Sequence, residues 1–349
     1  MSTTIVPTKA PTKVPTKTQP DRGAKTLRQP IVWIGLAVWI AFAAAIPYLT
    51  HGTIPFDQPM LASMPYRARV GMEIIGPALA FIFIGVTYAP TRRRVVDIAA
   101  RAPERSIALR ETIGSLVYGA AVLIGGIILG RIAGTHRIGL HLAGSMFGLS
   151  NSVAPREVWI WTLYNFFFYA ALPYWMFRRR GYSREALCLK SSNPVNDTVV
   201  ILVVLAIGLL VDLPGNAIWK LNPHQLMSGG ALAFIFSFLG TGLPIMIFLT
   251  SILVPRYLKL TGSTAATVVL SGFTYAAMHL SEYWTRYDTS AHTALSVIFI
   301  VLLFGGPGMV KAYLTLRTGN AWVHLWGYHV IWPHVTGDTP IFARIFGIT

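Results

Sequence analysis

The sequence predicts an all-α fold, a polytopic bundle of about nine transmembrane helices with a cytoplasmic N-terminus. Hydrophobic residues make up 54% of the 349 positions and charged residues only 12%, about half the charged share of a soluble domain. The apolar residues form long runs, most of them near the length that crosses a bilayer. The basic residues lie between these runs, where they set topology. Together these features exclude a soluble enzyme fold for most of the chain.

Residues 1–30 form a polar, basic tail that repeats Pro-Thr-Lys at 7–9, 11–13 and 15–17. Proline-rich polar sequence cannot bury enough apolar surface to fold alone, so we expect a disordered tail. It is too long and too polar for the n-region of a cleaved signal peptide. Its basic residues either set topology or form an arm that binds anionic lipid headgroups.

Nine apolar runs follow the tail, and we group them into N-terminal transmembrane helices at 31–180 and a second transmembrane region at 181–340. The predicted spans are 31–49, 70–90, 113–132, 157–177, 197–213, 230–254, 264–281, 292–314 and 320–336. The stretch Gly305-Gly-Pro-Gly308 is expected to break the eighth span. The ninth span is the least typical because it contains three histidines and a proline.

Basic residues favour one side of the predicted membrane. With the N-terminus inside, the inner segments hold 21 Lys and Arg and the outer segments hold 8, which supports N-inside, C-outside topology. Lys311 and Arg317 are counted with an inner segment. We therefore expect a multi-pass protein of the cell membrane whose first partner is the lipid bilayer.

The net charge of +16 would suggest nucleic acid in a soluble protein. Here the two arginine-rich loops, 91–112 and 178–190, lack aromatic interleaving or a recognition motif, so no nucleic-acid partner is expected. The loops are typical of solvated segments in contact with lipid headgroups. The single cysteine, Cys188, excludes an internal disulfide and a cysteine-rich metal site.

Ionisable groups inside a bilayer are costly, so they are the first candidates for a functional site. The carboxylates within or near the predicted spans are Glu73, Glu157, Asp212 and Glu282. The histidines are His279, His324, His329 and His334, with His292 at the start of a span.

The spacing of these groups gives a first expectation of which ones meet. Glu282 is three residues beyond His279 and would share a helix face with it. His324 and His329 are five residues apart, about 140° around an α-helix, so they would not share a narrow face. One alternative is that the transmembrane histidines are axial ligands of a haem or another metal, although their spacings do not repeat as in two-histidine haem bundles.

Three motifs in the C-terminal part carry a resemblance to a known family. They are Tyr275-Ala-Ala-Met-His279, Leu314-Thr-Leu-Arg-Thr-Gly-Asn-Ala-Trp322 and Gly327-Tyr-His-Val-Ile-Trp-Pro333. They resemble parts of the CAAX-protease and bacteriocin-processing family of intramembrane endopeptidases, also called CPBP or Abi. The first resembles that family's second motif and the second the run that precedes its third motif. The last resembles the third motif with one inserted residue and with Pro333 where the family has asparagine. Segments 181–190 and 254–262 resemble further stretches of that family, so the resemblance covers about residues 180–335.

The resemblance implies that His279 and His329 position water and stabilise an oxyanion, and that the substrate is a membrane-held polypeptide. In that family a glutamate activates the water. Counting back from Pro255 places the family's glutamate pair at Ile245 and Met246 and its arginine at Thr250. Loss of a general base typically lowers a rate by about 10²–10⁴. We therefore expect a divergent member with lost or altered peptidase activity, acting as a binding, immunity or regulatory protein.

The alternative is an active endopeptidase that uses a relocated carboxylate with the two histidines. Glu282, Glu73 and Asp212 are the candidate substitutes, and the expected catalytic set is His279, His329 and Glu282. The partner would be a membrane-held polypeptide, bound as substrate or as a partner protein. The sequence contains no zinc signature and names no cofactor.

Overall fold

The computed structural model describes residues 28–56, 64–134, 153–282 and 284–349. Within these ranges every regular element is helical, so the all-α prediction is confirmed for the described part. Most of the predicted disordered tail (residues 1–27), the outer-loop Arg137 and Tyr283 lie outside the described residues.

Eleven labelled helices follow one another along the described chain. They are α1 (Pro30–Thr50), α2 (Tyr66–Thr91), α3 (Arg105–Ala133), α4 (Pro155–Asn165), α5 (Leu172–Arg179), α6 (Pro194–Asp212), α7 (Gln225–Thr261), α8 (Thr264–Ala277), α9 (Ser290–Thr318), α10 (Trp322–His324) and α11 (Thr336–Ile345). Short 3₁₀ turns at Ala99–Arg101 and Ala217–Lys220 join some of them.

Six of the described helices are long and apolar enough to cross a membrane, with mean hydropathy between 1.9 and 2.3. They are α1, α2, α3, α6, α7 and α9. These helices are compatible with an integral, multi-pass membrane protein. Helix α8 is apolar but has only 14 residues, so it ends four positions before the predicted span limit of 281. The nine-span count and the N-inside orientation stay predictions.

Helix α9 lies at the centre of the bundle and packs against both α8 and α2. Glycines bring α8 and α9 close together: a Cβ at Gly308 would lie 2.6 Å from Cβ of Tyr275, and one at Gly272 would lie 2.7 Å from the Gly305 carbonyl oxygen. The predicted break at 305–308 is wrong, because α9 is continuous with Pro307 inside it. The glycines instead permit the close helix approach that is typical of membrane bundles.

Several segments have π-helical hydrogen bonding, in which each N–H bonds to the carbonyl five residues earlier. Helix α7 contains such stretches at Phe238–Gly242 and Met246–Leu253, and Phe166–Ala171 joins α4 to α5. The longest stretch, Leu325–Val335, joins α10 to α11, is interrupted by a kink at Trp332 and is called the π segment below. Within it Trp332 has an extended backbone (φ −114°, ψ 127°), as favoured for a residue before proline.

The first arginine-rich loop is tied to the C-terminal end of α9. Arg94 Nη1 lies 2.5 Å from Asp197 Oδ1, and its Nη2 donates to the carbonyl of Thr318 at 2.5 Å. Asp197 also accepts from Asn320 Nδ2 at 2.8 Å. Arg101 donates to the Gly319 carbonyl at 2.6 Å. These arginines satisfy carbonyls that a helix leaves unpaired at its C-terminus, so part of the loop has a structural role that charge counting does not reveal.

Candidate functional site

Three histidines form a stripe along the π segment and the residue before it. The ring centres of His324 and His329 are 5.8 Å apart, and those of His329 and His334 are 5.2 Å apart. All three side chains are buried. The expectation that His324 and His329 do not share a face is wrong. In a helix with i→i+5 hydrogen bonds, residues five apart lie roughly one turn apart and therefore stack on the same side.

Tyr275 of α8 connects this stripe to His279. The Tyr275 ring centre is 4.4 Å from that of His279 and 6.4 Å from that of His329. The two histidines singled out from the sequence therefore border one aromatic ring. His279 Nδ1 lies 2.7 Å from the Tyr275 carbonyl oxygen, so Nδ1 carries the proton in this contact. The His279 ring stacks on Phe304 with 3.7 Å between ring centres.

Lys311 of α9 is the basic residue of the cluster. Its Nζ lies 4.2 Å from the ring centre of Tyr275 and 5.1 Å from that of Tyr328, which is cation–π geometry. The side chain is only 2% exposed. Among the described residues, Lys311 Nζ makes no hydrogen bond or ion pair with an acidic side chain. Counting Lys311 with an inner loop is therefore wrong. A lone lysine inside a predicted span is the sequence signal that identifies it.

Several polar atoms of the stripe have no partner within the part of the chain that the structure describes. Neither ring nitrogen of His324 makes a hydrogen bond of ordinary geometry, and neither does Nδ1 of His329. His329 Nε2 lies 3.3 Å from Oγ1 of Thr241. Because buried polar groups are normally hydrogen-bonded, these atoms are available to a ligand, water or partner group.

The carboxylate that reaches the stripe is Asp338 of α11, which sequence reasoning missed. Its Oδ2 lies 2.9 Å from His334 Nδ1, and both side chains are buried. Asp338 lies beyond the last predicted span, so it was not considered as an intramembrane group. The i,i+4 spacing of His334 and Asp338 was the available signal.

Glu282 follows His279 in a turn rather than on a helix. Because α8 ends at Ala277, the expectation that the two residues share a helix face is wrong. The Glu282 N–H donates to the His279 carbonyl at 3.1 Å. The Glu282 side chain is buried. The predicted catalytic acid, Glu282, therefore lies three residues after His279 on the loop between α8 and α9.

Two further predicted carboxylates, Glu73 and Asp212, lie on α2 and α6, and the buried Glu73 side chain has an Oε2 that makes no hydrogen bond within the described residues. Glu73 of α2 is near Gly76, whose Cβ position is 3.6 Å from the Leu302 carbonyl oxygen. Leu302 is nine residues before Lys311 on α9, a separation of about 13 Å along the helix. Asp212 accepts from Thr336 Oγ1 at 2.5 Å and from Asn216 Nδ2 at 2.9 Å.

Two further candidates lie at helix starts. Glu157 accepts the Ala154 N–H at 2.9 Å and so caps the start of α4. His292 Nδ1 lies 2.6 Å from Asp288 Oδ1 in a partly exposed pair at the start of α9. Arg286 and His292 hydrogen-bond Asp288 and lower its pKa to about 2. Glu157 and His292 thus have partners of their own at helix starts, and neither contact involves the histidine stripe.

The positions that the family resemblance assigns to acids are apolar and buried. Ile245 and Met246 are 0% and 1% exposed. Ile245 belongs to the same apolar cluster as Tyr275. Thr250 is also buried, and its Oγ1 donates to the Met246 carbonyl at 2.8 Å. In the described ranges no group of three or more His, Cys, Asp or Glu side chains is arranged to hold a metal ion.

Compared with protein families, characterised proteins and solved structures, the chain matches none. Its site is therefore interpreted from its own residues: a buried lysine, two tyrosines, a stripe of histidines and one aspartate.

Proposed function

We propose that this chain is a multi-pass protein of the cell membrane that resembles the CPBP family but does not hydrolyse peptides. It acts instead as a binding or regulatory protein for a membrane-held polypeptide. One observation carries the proposal: Ile245 and Met246 are buried and apolar where the family has glutamates, while Lys311 faces Tyr275, the ring that borders His279 and His329. Water attack on an amide needs a general base within hydrogen-bond reach.

The chemistry of the lysine supports this interpretation. The family's base is a carboxylate pair, and the Lys311 amino group is not its equivalent, because in either protonation state it donates N–H bonds to oxygen acceptors. It does suit the carbonyl or carboxylate oxygens of a bound polypeptide. The unpartnered nitrogens of His324 and His329 would add polar contacts at the same place. A site with donors but no glutamate pair favours binding over hydrolysis.

The test is a cleavage assay on the purified full chain with quenched-fluorescent transmembrane peptides, prenylated and unprenylated. We expect no turnover above that of the His279→Ala and His329→Ala variants. Specific cleavage that disappears in both variants, with their thermal unfolding unchanged, would overturn the proposal.

A second candidate is a peptidase with a relocated base, and the Asp338–His334 contact of 2.9 Å favours it. In that case Asp338 would polarise His334, whose ring centre is 5.2 Å from that of His329. Turnover should then be lost in Asp338→Asn and kept in Asp212→Asn. If Glu282 or Glu73 is the base instead, turnover should be lost in Glu282→Gln or in Glu73→Gln. Turnover that survives all four substitutions would eliminate a relocated carboxylate.

A further inference from the structure

A cavity of about 330 Å³ lies apart from the histidine stripe, between α3, α5 and the stretch Met246–Leu253 of α7. At one end it is bordered by Arg110 and Arg180, and at the other by Tyr118 and Phe248. Arg110 and Tyr118 are eight residues apart on α3, which is about 12 Å along the helix axis. The cavity therefore runs from the charged end of two helices into their apolar part.

The walls of the cavity are apolar. Its apolar lining residues are Ile107, Pro173, Met176, Phe177, Phe248 and Ile252. Gly114 and Ser115 face it from α3, and a Cβ built at Gly114 meets no atom within 4 Å. Small residues at this position leave the space open between two membrane helices. Such a surface suits a hydrocarbon chain, which is the neighbouring solvent in a bilayer.

The charged end of the cavity carries more positive than negative groups. Its one carboxylate, Glu111, accepts from Arg256 at 2.7 and 2.8 Å and from the Tyr182 hydroxyl at 2.8 Å. Arg256 thus balances the charge of Glu111. Arg180 is half exposed, with Nη1 3.7 Å from Glu111 Oε1. Arg110 is exposed and forms no ion pair with a described residue.

We propose that this cavity binds an anionic phospholipid, with the phosphate at Arg110 and Arg180 and one acyl chain along the apolar walls towards Tyr118. Guanidinium groups match phosphate oxygens in geometry and charge. A zwitterionic lipid would also place its cationic group near the arginines, so it binds more weakly. None of the cavity residues belongs to the histidine stripe, so this site stands independently of the proposed function.

The experiment compares lipid retention by the purified full chain. The chain is exchanged into detergent with equal amounts of dioleoyl phosphatidylglycerol and dioleoyl phosphatidylcholine, and bound lipid is measured by native mass spectrometry. We expect the wild type to retain phosphatidylglycerol over phosphatidylcholine by roughly tenfold or more. The double variant Arg110→Gln/Arg180→Gln removes the preference, while Arg92→Gln/Arg93→Gln, an equal charge change at exposed positions that do not line the cavity, keeps it.

A second pair of variants tests the place of the acyl chain. Gly114→Leu fills the cavity and should lower retention of both lipids, whereas Gly85→Leu, at an open position on α2, should not. An excess of inorganic phosphate should fail to displace the lipid, since it lacks the chain. Equal retention of the two lipids, an equal loss in both arginine pairs, unchanged binding in Gly114→Leu, or displacement by phosphate alone would each overturn the proposal. Matching thermal unfolding of all variants confirms that they are folded.

Discussion

Lys311 Nζ lies 4.2 Å from the centre of the Tyr275 ring, so the buried lysine of α9 faces an aromatic surface rather than a carboxylate. Tyr275 also borders His279 and His329. One tyrosine thus connects the lysine to both histidines that resemble a peptidase pair. The electrostatic character of the cluster is that of a donor site for an oxygen-bearing ligand.

The first prediction concerns the cost of that lysine. A buried amino group without a hydrogen-bond acceptor loses its hydration, which is destabilising, and Met has a similar length and flexibility without the polar group. We expect Lys311→Met to raise the free energy of unfolding by about 1–3 kcal/mol, measured by chemical denaturation in detergent. Lys190→Met, at an exposed loop position, should change it by less than about 0.5 kcal/mol. A large loss of stability in Lys311→Met would show that the lysine has a structural role.

A second prediction tests the close approach of α8 and α9. Gly308→Ala places a Cβ 2.6 Å from Cβ of Tyr275 and 3.0 Å from Cα of Gly272, so the helices must separate. We expect a loss of about 1–3 kcal/mol in unfolding free energy. Gly305→Ala is the matched control on the same helix, because its Cβ meets no atom within 4 Å. Equal effects of the two substitutions would contradict the packing described.

A third prediction concerns the ion pair that holds the first arginine-rich loop. Arg94 and Asp197 have side chains that are 9% and 4% exposed, and Arg94 also bonds the Thr318 carbonyl. Removing one partner leaves a buried carboxylate without its counter-ion, so Arg94→Ala should cost about 3 kcal/mol or more. Arg93→Ala changes an exposed neighbour and should cost less than about 0.5 kcal/mol. Thermal unfolding of the two variants in the same detergent makes the comparison.

The helices were largely predictable from sequence because apolar run length reports them directly. The predicted span at 31–49 corresponds to Pro30–Thr50, and that at 197–213 to Pro194–Asp212. The site was less predictable. Periodicity arguments assume 3.6 residues per turn, and they separate His324 from His329, whereas the π segment stacks them.

Charge counting was the other source of error. It treats each Lys or Arg as a loop residue, so it placed Lys311 outside the bundle and gave no hint that Arg94 bonds the end of α9. Asp338 lies two residues beyond the last predicted span, 320–336, so run length does not mark it as an intramembrane group. In each case the missing information is tertiary: which neighbour a polar side chain meets cannot be obtained from run length or from net charge.

The final prediction uses Cys188, the single thiol, to report opening of the second arginine-rich loop (178–190), which bonds the segment that follows α9. Cys188 is fully buried, and its carbonyl accepts the Ala321 N–H at 2.7 Å. Burial raises the pKa of the thiol, opposed by the neighbouring Arg101. A higher pKa means less of the reactive thiolate at pH 8. We expect maleimide labelling of the folded chain to be at least about 100-fold slower than in denaturant, which corresponds to about 2.8 kcal/mol of opening free energy.

The pH dependence of labelling and the Arg94→Ala variant show how Cys188 becomes accessible. In denaturant the labelling rate should level off above a pH of about 8.5, the ordinary thiol pKa. Labelling that requires opening of the loop should level off at the same pH in the folded chain, whereas labelling of the closed loop, where burial raises the pKa of the thiol, should keep rising beyond it. Arg94→Ala should accelerate labelling because Arg94 joins Ser192, just beyond this loop, to the Thr318 carbonyl at the end of α9, and Arg93→Ala should not. Labelling of the folded wild type as fast as the denatured chain would show that Cys188 is accessible, and would contradict the packing of this loop against the end of α9.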